Sequence, residues 1–117
     1  MSRDVTQTFA DIDALDPDKF VAHLTDDVVF RFGNADPIRG RESVKEAVAG
    51  FFAGIDGMTH HIKKVYDVDD TTVVNIDVEY FRKDGKSVTV PNADILIFED
   101  DLVRDWQIFI DLAPVFA

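Results

Sequence analysis

The stretch Arg104-Asp-Trp-Gln-Ile-Phe-Ile-Asp-Leu-Ala-Pro-Val-Phe116 decides the fold of this chain. Apolar and polar side chains alternate along it, which predicts a last β-strand over Leu102–Leu112 that runs into a short hydrophobic end. Three strands are predicted before it: Thr59–Val68, Thr72–Lys83 and Ser87–Phe98. Short turns rich in Asp and Gly separate these strands, as in Lys83-Asp-Gly-Lys86. Four such strands in succession predict an antiparallel meander.

Helical signals fill most of the first half of the chain. Apolar residues recur at helical spacing over residues 3–13, which predicts an amphipathic helix. Asp16-Pro17 then supplies an N-cap followed by proline at the first helical position. The second helix that begins there is expected to continue through Leu24.

A strand and a third helix are expected next. Val28–Phe32 reads as the strand, and a loop rich in turn-forming residues follows it. Gly40 and Gly54 bracket the helix, whose apolar residues fall on one face. Helices first and strands later predict the α+β class, with a curved antiparallel sheet that wraps around its helices and leaves a cavity between the two layers.

Composition narrows the range of functions. The 117 residues fit a single domain over 1–117, and the 46% hydrophobic content, with 10 Phe, favours one apolar core. A net charge of −11 disfavours nucleic acid and anionic membranes as partners. Cys is absent and no leader peptide or membrane-spanning run is visible, so a cytoplasmic location is expected.

The last strand, taken with Gly40-Arg-Glu-Ser-Val-Lys-Glu-Ala-Val-Ala-Gly-Phe-Phe52, resembles one family over nearly the whole chain. That family is the SnoaL-like branch of the nuclear transport factor 2-like superfamily. The resemblance implies a cystatin-like, cone-shaped α+β fold, in which a curved antiparallel sheet encloses a cavity beside the N-terminal helices.

The segment Pro91-Asn-Ala-Asp-Ile-Leu-Ile-Phe98 is similar to the strand of ketosteroid isomerase that carries the Asp of its oxyanion hole. The similarity implies that Asp94 takes this place and that its pKa is raised by burial beside Leu96. The partner Tyr of that enzyme falls at Phe9, which has no hydroxyl, and its general base falls near Arg31 or Phe32. The complete isomerase site is therefore not expected.

Limonene epoxide hydrolase gives a longer resemblance, over Val29–Phe52 and Trp106–Leu112. Its five site positions correspond here to Phe30, Phe32, Asp77, Glu79 and Ile108. Only Glu79 keeps the chemical character of the hydrolase residue, so that reaction is not expected either.

The resemblance also implies which side chains face the cavity. Those expected to face it are Phe30, Phe32, Asp77, Glu79, Asp94, Trp106, Ile108 and Ile110, with Phe9 and Leu96 as further ligand contacts. The opposite face of the predicted strand Thr72–Lys83 is apolar, at Val74, Ile76, Val78 and Tyr80. Placed on the outside of the sheet, this face would favour a homodimer.

Asp94 is the leading candidate for acid–base chemistry, with Asp77, Glu79, His60 or His61 as its partner. Adjacent strand residues point to opposite faces, so at most one of His60 and His61 enters the cavity. A His that titrates near neutral pH suits proton transfer. The plainer alternatives are a solvated strand face for the acidic pair and a rim position for the histidines.

Two functions remain open. The first is a cofactor-free and metal-free cyclase or isomerase that acts on a small apolar carbonyl compound. The second is a non-catalytic ligand-binding or dimerising scaffold. Nothing in the residue spacing resembles a metal site or a phosphate-binding loop.

Overall fold

The computed structural model describes residues 4–117. In chain order the elements are α1 Thr6–Asp13, α2 Pro17–Val21, β1 Leu24–Phe32, β2 Ile38–Arg39, α3 Arg41–Ala53, β3 Gly57–Val68, β4 Thr71–Phe81, β5 Ser87–Glu99, β6 Leu102–Ile110 and a 3₁₀ turn at Ala113–Val115. The expected start of the first helix at residue 3 lies outside the described residues.

The six strands form one curved, open sheet in the order β2-β1-β6-β5-β4-β3. The meander from β3 to β6 is confirmed, since each of these strands pairs antiparallel with the next. One pair departs from the expected pattern: β1 runs parallel to β6. A parallel pair needs a long crossover, and α3 with β3–β5 provides it here.

The second helix is shorter than predicted. The Asp16 side chain accepts a hydrogen bond from the Asp18 N–H at 2.9 Å, and Pro17 occupies the first turn. The helix ends at Val21, and Leu24 is already the first residue of β1, where it is fully buried. The apolar side chain of Leu24 fits the inner face of a strand as well as a helix, so periodicity alone did not separate the two.

The register of β4 corrects one sequence expectation. Val74, Ile76, Val78 and Tyr80 face the core and are at most 1% exposed, whereas Asp77 and Glu79 lie on the outer face. Because side chains alternate along a strand, a shift of one residue exchanges the two faces. Burying four apolar side chains is favourable and burying two carboxylates is costly, which sets the observed register.

The core lies between the inner face of the sheet and the three helices. Its largest fully buried side chains include Trp106, Tyr80, Phe9 and Phe30. The Trp106 ring stacks on Phe20 of α2 with centroids 5.2 Å apart, which holds this helix against the sheet. None of the helices in residues 4–117 is both long and apolar enough to cross a membrane.

Candidate functional site

A small cavity lies between the inner face of the curved sheet and the three helices. Aromatic and aliphatic side chains make up most of its wall, and three of the predicted ligand contacts, Phe30, Phe32 and Ile108, are among them. Its polar lining residues are His60, Tyr80, Asn92 and Asp94. The space that the centre of a water molecule can reach is about 30 Å³, enough for about two waters.

Asp94 is the most deeply buried polar residue of this wall. Its exposed fraction is 0%, and Oδ2 accepts a hydrogen bond from the Trp106 Nε1–H at 2.9 Å. Burial raises the pKa of the Asp94 carboxyl to about 7, against the lowering effects of the Trp106 hydrogen bond and the nearby His60. The predicted raised pKa of Asp94 is therefore what the site geometry produces, and the carboxyl is protonated below about pH 7.

His60 faces the same cavity and is held there by α1. The Asp13 carboxylate binds it twice: Oδ1 lies 2.5 Å from His60 Nδ1, and Oδ2 accepts from the His60 backbone N–H at 3.0 Å. The His60 side chain is 6% exposed and its ring packs 4.9 Å from the ring of Phe9. Because Asp13 occupies Nδ1, Nε2 is the ring nitrogen left for the cavity.

Two further polar side chains border Asp94. Asn92 is two residues earlier on β5 and therefore on the same face, with 7% of its surface exposed. Its amide is close enough to lower the pKa of Asp94, yet Asn92 Oδ1 and Asp94 Oδ1 have no hydrogen-bond partner among the described residues. Burial raises the pKa of the Tyr80 hydroxyl, so this group stays protonated.

Asp77, Glu79 and His61, expected as catalytic candidates, are not in the cavity. His61 pairs with Asp77 across β3 and β4 and bonds to Glu79 on the outer face, Nε2 to Oε1 at 3.1 Å. The expectation that Asp77 and Glu79 face the cavity was wrong, because β4 buries its other face. At most one of His60 and His61 was expected to enter the cavity, and it is His60, which pairs with the buried Val78, whereas His61 points outward. The acidic pair forms the solvated strand face that was the plainer alternative.

The other predicted ligand contacts surround the site without lining the cavity. Phe9, Leu96 and Trp106 are at most 1% exposed and belong to the core behind it. Ile110 is half-buried near the end of β6. Trp106 nevertheless acts on the site directly, since it donates the hydrogen bond to Asp94.

Asp13 and Asn92 are the site residues that the sequence reading missed. Asn92 was detectable, because period-two geometry places it on the face of Asp94. Asp13 carried no signal: the nearby Asp11 looks the same in the sequence, yet it binds a different histidine, His23, at 2.7 Å. Within residues 4–117, no three His, Asp or Glu side chains converge as metal ligands.

Comparisons with known proteins place this chain in a family. Residues 5–106 match the family model for the SnoaL-like domain. No curated protein sequence gives a significant match. Many solved structures share the fold.

Three of these structures illustrate the range. A nuclear transport factor 2-like protein of unknown function from Burkholderia pseudomallei has a TM-score of 0.85 and 16% identity, over 96% of this chain and 91% of that one. An epoxide hydrolase from M. tuberculosis has a TM-score of 0.80 and 16% identity, over 96% and 83%. A protein from Jannaschia provisionally assigned as a SnoaL-like polyketide cyclase has a TM-score of 0.75 and 20% identity, over 99% and 94%.

At these identities the solved structures show the shared fold, and the family model shows the membership. The match covers most of the chain, including the helices, the first five strands and the part of β6 that reaches Trp106. The chain belongs to the SnoaL-like family.

Proposed function

We propose that this protein is a cofactor-independent acid–base enzyme that acts on a small, apolar carbonyl compound. One observation carries the proposal: a single apolar cavity brings a carboxylate-bound histidine, His60, together with a wholly buried carboxyl, Asp94. Two titratable groups in such different environments are suited to opposite roles, one as base and one as acid.

His60 is the base in this proposal. Its Nε2 removes a proton from the carbon next to the carbonyl group, and Asp13 stabilises the imidazolium that forms. Protonated Asp94 donates a hydrogen bond to the carbonyl oxygen as negative charge develops there. The proton then returns from His60 to carbon, at the same or a conjugated position, which gives exchange or isomerisation without a cofactor.

The family supports a small organic substrate. Among the structural neighbours, one is assigned as a polyketide cyclase and one is an epoxide hydrolase, and both of these activities act on small organic molecules. The aromatic wall of the cavity here, with Phe30, Phe32 and Phe51, suits an apolar substrate.

The test measures deuterium incorporation from D₂O into a panel of small cyclic and aromatic ketones. The exchange is monitored by ¹H NMR as the loss of the α-proton signal. We expect wild-type protein to catalyse this exchange. His60→Gln should slow it roughly 100-fold, because a positioned general base contributes at least that factor. Asp94→Asn should also slow it, since the amide cannot supply the same acidic proton.

The matched control is His61→Gln, the neighbouring histidine on the outer face. This variant should catalyse the deuterium exchange at the wild-type rate. Wild-type protein that exchanges no ketone of the panel faster than His60→Gln would rule the proposal out and favour the second candidate.

That second candidate is a non-catalytic ligand-binding or scaffold domain, and the small volume of the cavity favours the scaffold. A ligand larger than about two waters enters only if an aromatic side chain moves. Phe51 is the side chain in the position to do so: it is half-buried at the wall, with its ring 5.0 Å from Phe32 and 6.0 Å from Phe116.

We also propose that two copies of the chain associate through the outer face of the sheet. The apolar face first expected to lie there is in the core, but the true outer face has its own apolar groove. This outer groove has a volume of about 260 Å³ and a floor formed by Val29, Ile95 and Ile97. The large apolar residues Tyr66 and Phe109 are about half exposed on the same face.

Charge favours a second copy as the occupant of the outer groove. Arg31 and Asp105 line it together, so a two-fold axis could pair the Arg31 of each copy with the Asp105 of the other. Arg39 and Arg104 line the adjoining depression. In a chain of net charge −11, the three arginines that line these two depressions outnumber their two acidic residues, Asp27 and Asp105, which lowers the repulsion between two copies there.

Replacing Ile95 with Glu should therefore convert a dimer into a monomer in analytical ultracentrifugation. A charge at the centre of the groove has to be desolvated in the interface, which disfavours association. Thr89→Glu is the control, since Thr89 is exposed on the same face of the same strand but outside the groove. Wild-type protein that remains monomeric at all concentrations would contradict the dimer and leave the groove open to a small ligand.

A further inference from the structure

Asn92 occupies a position that the acid–base proposal does not yet use. It lies on the inner face of β5, opposite Ile76 of β4 and Ile110 of β6. It lines the cavity beside Asp94, and its side chain is more than nine-tenths buried. An amide placed among apolar neighbours in this way needs a hydrogen-bond partner.

Within residues 4–117, the side-chain oxygen of Asn92 lacks such a partner, and so does one oxygen of the neighbouring Asp94. Neither Asn92 Oδ1 nor Asp94 Oδ1 has a hydrogen-bond partner among the described residues. When Asp94 is ionised, both of these buried oxygens are acceptors, which is unfavourable because each has lost its hydration without replacement. The wall therefore carries unused hydrogen-bonding capacity at one point, next to His60.

The same two side chains can instead act as hydrogen-bond donors. The amide of Asn92 can turn over, since its oxygen and nitrogen are nearly alike in shape, and this brings Nδ2–H to the cavity. Protonated Asp94 offers its O–H at the same place. An oxygen atom between them then accepts two hydrogen bonds, which is the arrangement that stabilises an oxyanion.

We propose that Asn92 is a second hydrogen-bond donor, beside Asp94, for the oxygen of an enolate or phenolate-like ligand. The inference rests on the proposed function, whose carbonyl oxygen would occupy this point. It adds a residue and a ligand class: flat, apolar molecules whose single oxygen carries negative charge in the bound form. Tyr80 is the competing donor, because its protonated hydroxyl borders the same cavity.

The experiment is a spectroscopic titration with 4-nitrophenol and smaller substituted phenols at pH 6, where Asp94 is protonated. We expect binding as the phenolate. Asn92→Leu, which keeps the size but removes the donor, should weaken binding roughly 10- to 100-fold. Asn75→Leu is the matched control, since Asn75 is exposed on the outer face of β4, and it should bind as wild type does.

Three outcomes separate the inference from the proposed function. If Asn92→Leu binds phenolates as wild type does while Asp94→Asn binds them weakly, Asn92 is not a donor and the proposed function stands. A larger loss in Tyr80→Phe than in Asn92→Leu assigns the second donor to Tyr80 and overturns the inference. If neither Asn92→Leu nor Asp94→Asn weakens binding and no ketone exchanges, both proposals fail.

Two additions keep the test decisive. Phe51→Ala widens the cavity, so absence of phenol binding in both wild type and Phe51→Ala overturns the inference rather than reflecting a closed wall. NMR of the Asn92 side-chain amide in wild-type protein gives an independent measure. Its protons should move to higher frequency when the phenolate binds, and unchanged shifts with bound phenolate would contradict a direct hydrogen bond.

Discussion

Asp94→Asn should be more stable than the wild-type protein at pH 8, by on the order of 4 kcal/mol. The unfolded chain ionises this carboxyl near its ordinary pKa of 3.8, whereas the folded protein does so only at about 7. Between these values the unfolded state holds fewer protons, so wild-type stability falls as the pH rises from about 4 to about 7. Above pH 7 the free energy of unfolding stays lowered by the full cost of the buried charge.

The asparagine variant avoids that cost and keeps the local hydrogen bonds. Its Oδ1 can still accept from the Trp106 Nε1–H, and its Nδ2 can donate to the unpartnered Asn92 Oδ1. Urea unfolding of both proteins between pH 4 and pH 8 measures the difference, which should be small near pH 4 and largest at pH 8. The greater stability would come with loss of the proposed activity, a common trade at functional sites.

Asp77→Asn is the control for this series, because that carboxyl is on the outer face and its side chain is 40% exposed. Its stability should follow the wild-type curve. An Asp94→Asn protein that is less stable than wild type at pH 8 would show that the carboxylate is compensated in the folded state, contrary to the geometry described above.

Val78→Asp should unfold the protein, or destabilise it by more than about 4 kcal/mol at pH 8. Val78 is fully buried on β4, between His60 of β3 and Val90 of β5. A carboxylate there is shielded from solvent, and the histidine that lies opposite it, His60, is already bound to Asp13. Both the lost apolar burial and the buried charge oppose folding.

Thermal and urea unfolding followed by circular dichroism test this prediction. Val78→Thr provides a milder change in case the aspartate variant cannot be purified, and it should cost about 1–3 kcal/mol through its buried hydroxyl. Glu79→Gln, one residue away on the outer face, should change stability by no more than about 0.5 kcal/mol. The reverse order of effects would mean that β4 has the opposite register and that Glu79 faces the cavity after all.

The β4 register shows what the sequence could and could not predict. The existence of the strand, its turns and its place in the meander followed from local alternation and turn residues. Its expected facing rests on a resemblance, in which the positions of Asp77 and Glu79 match site residues of a relative. The alternation of Val74, Ile76, Val78 and Tyr80 carried the right answer, because a continuous apolar face is buried before any other.

The candidate site was predictable only in part, for a related reason. Asp94 was indicated by the resemblance of its segment to the isomerase strand, and its apolar neighbours on β5 supported its burial. The choice between His60 and His61 depended on which residue of β3 lies opposite Val78, and this pairing between strands is not encoded locally. Asp13 reaches the site from a position 47 residues away in sequence, through the docking of α1, so no pattern within α1 could reveal it.

The contact between Asp13 and the His60 backbone has a second consequence, for solubility. Among residues 4–117, β3 is the last strand of the sheet on its side, so one row of its backbone N–H and C=O groups has no strand partner there. Such an open edge invites pairing with strands of other chains and so promotes aggregation. By capping one of these N–H groups at 3.0 Å, α1 shields the edge at the point where the histidine lies. The carboxylate that holds His60 in the cavity thus also protects this edge of the sheet from pairing with other chains.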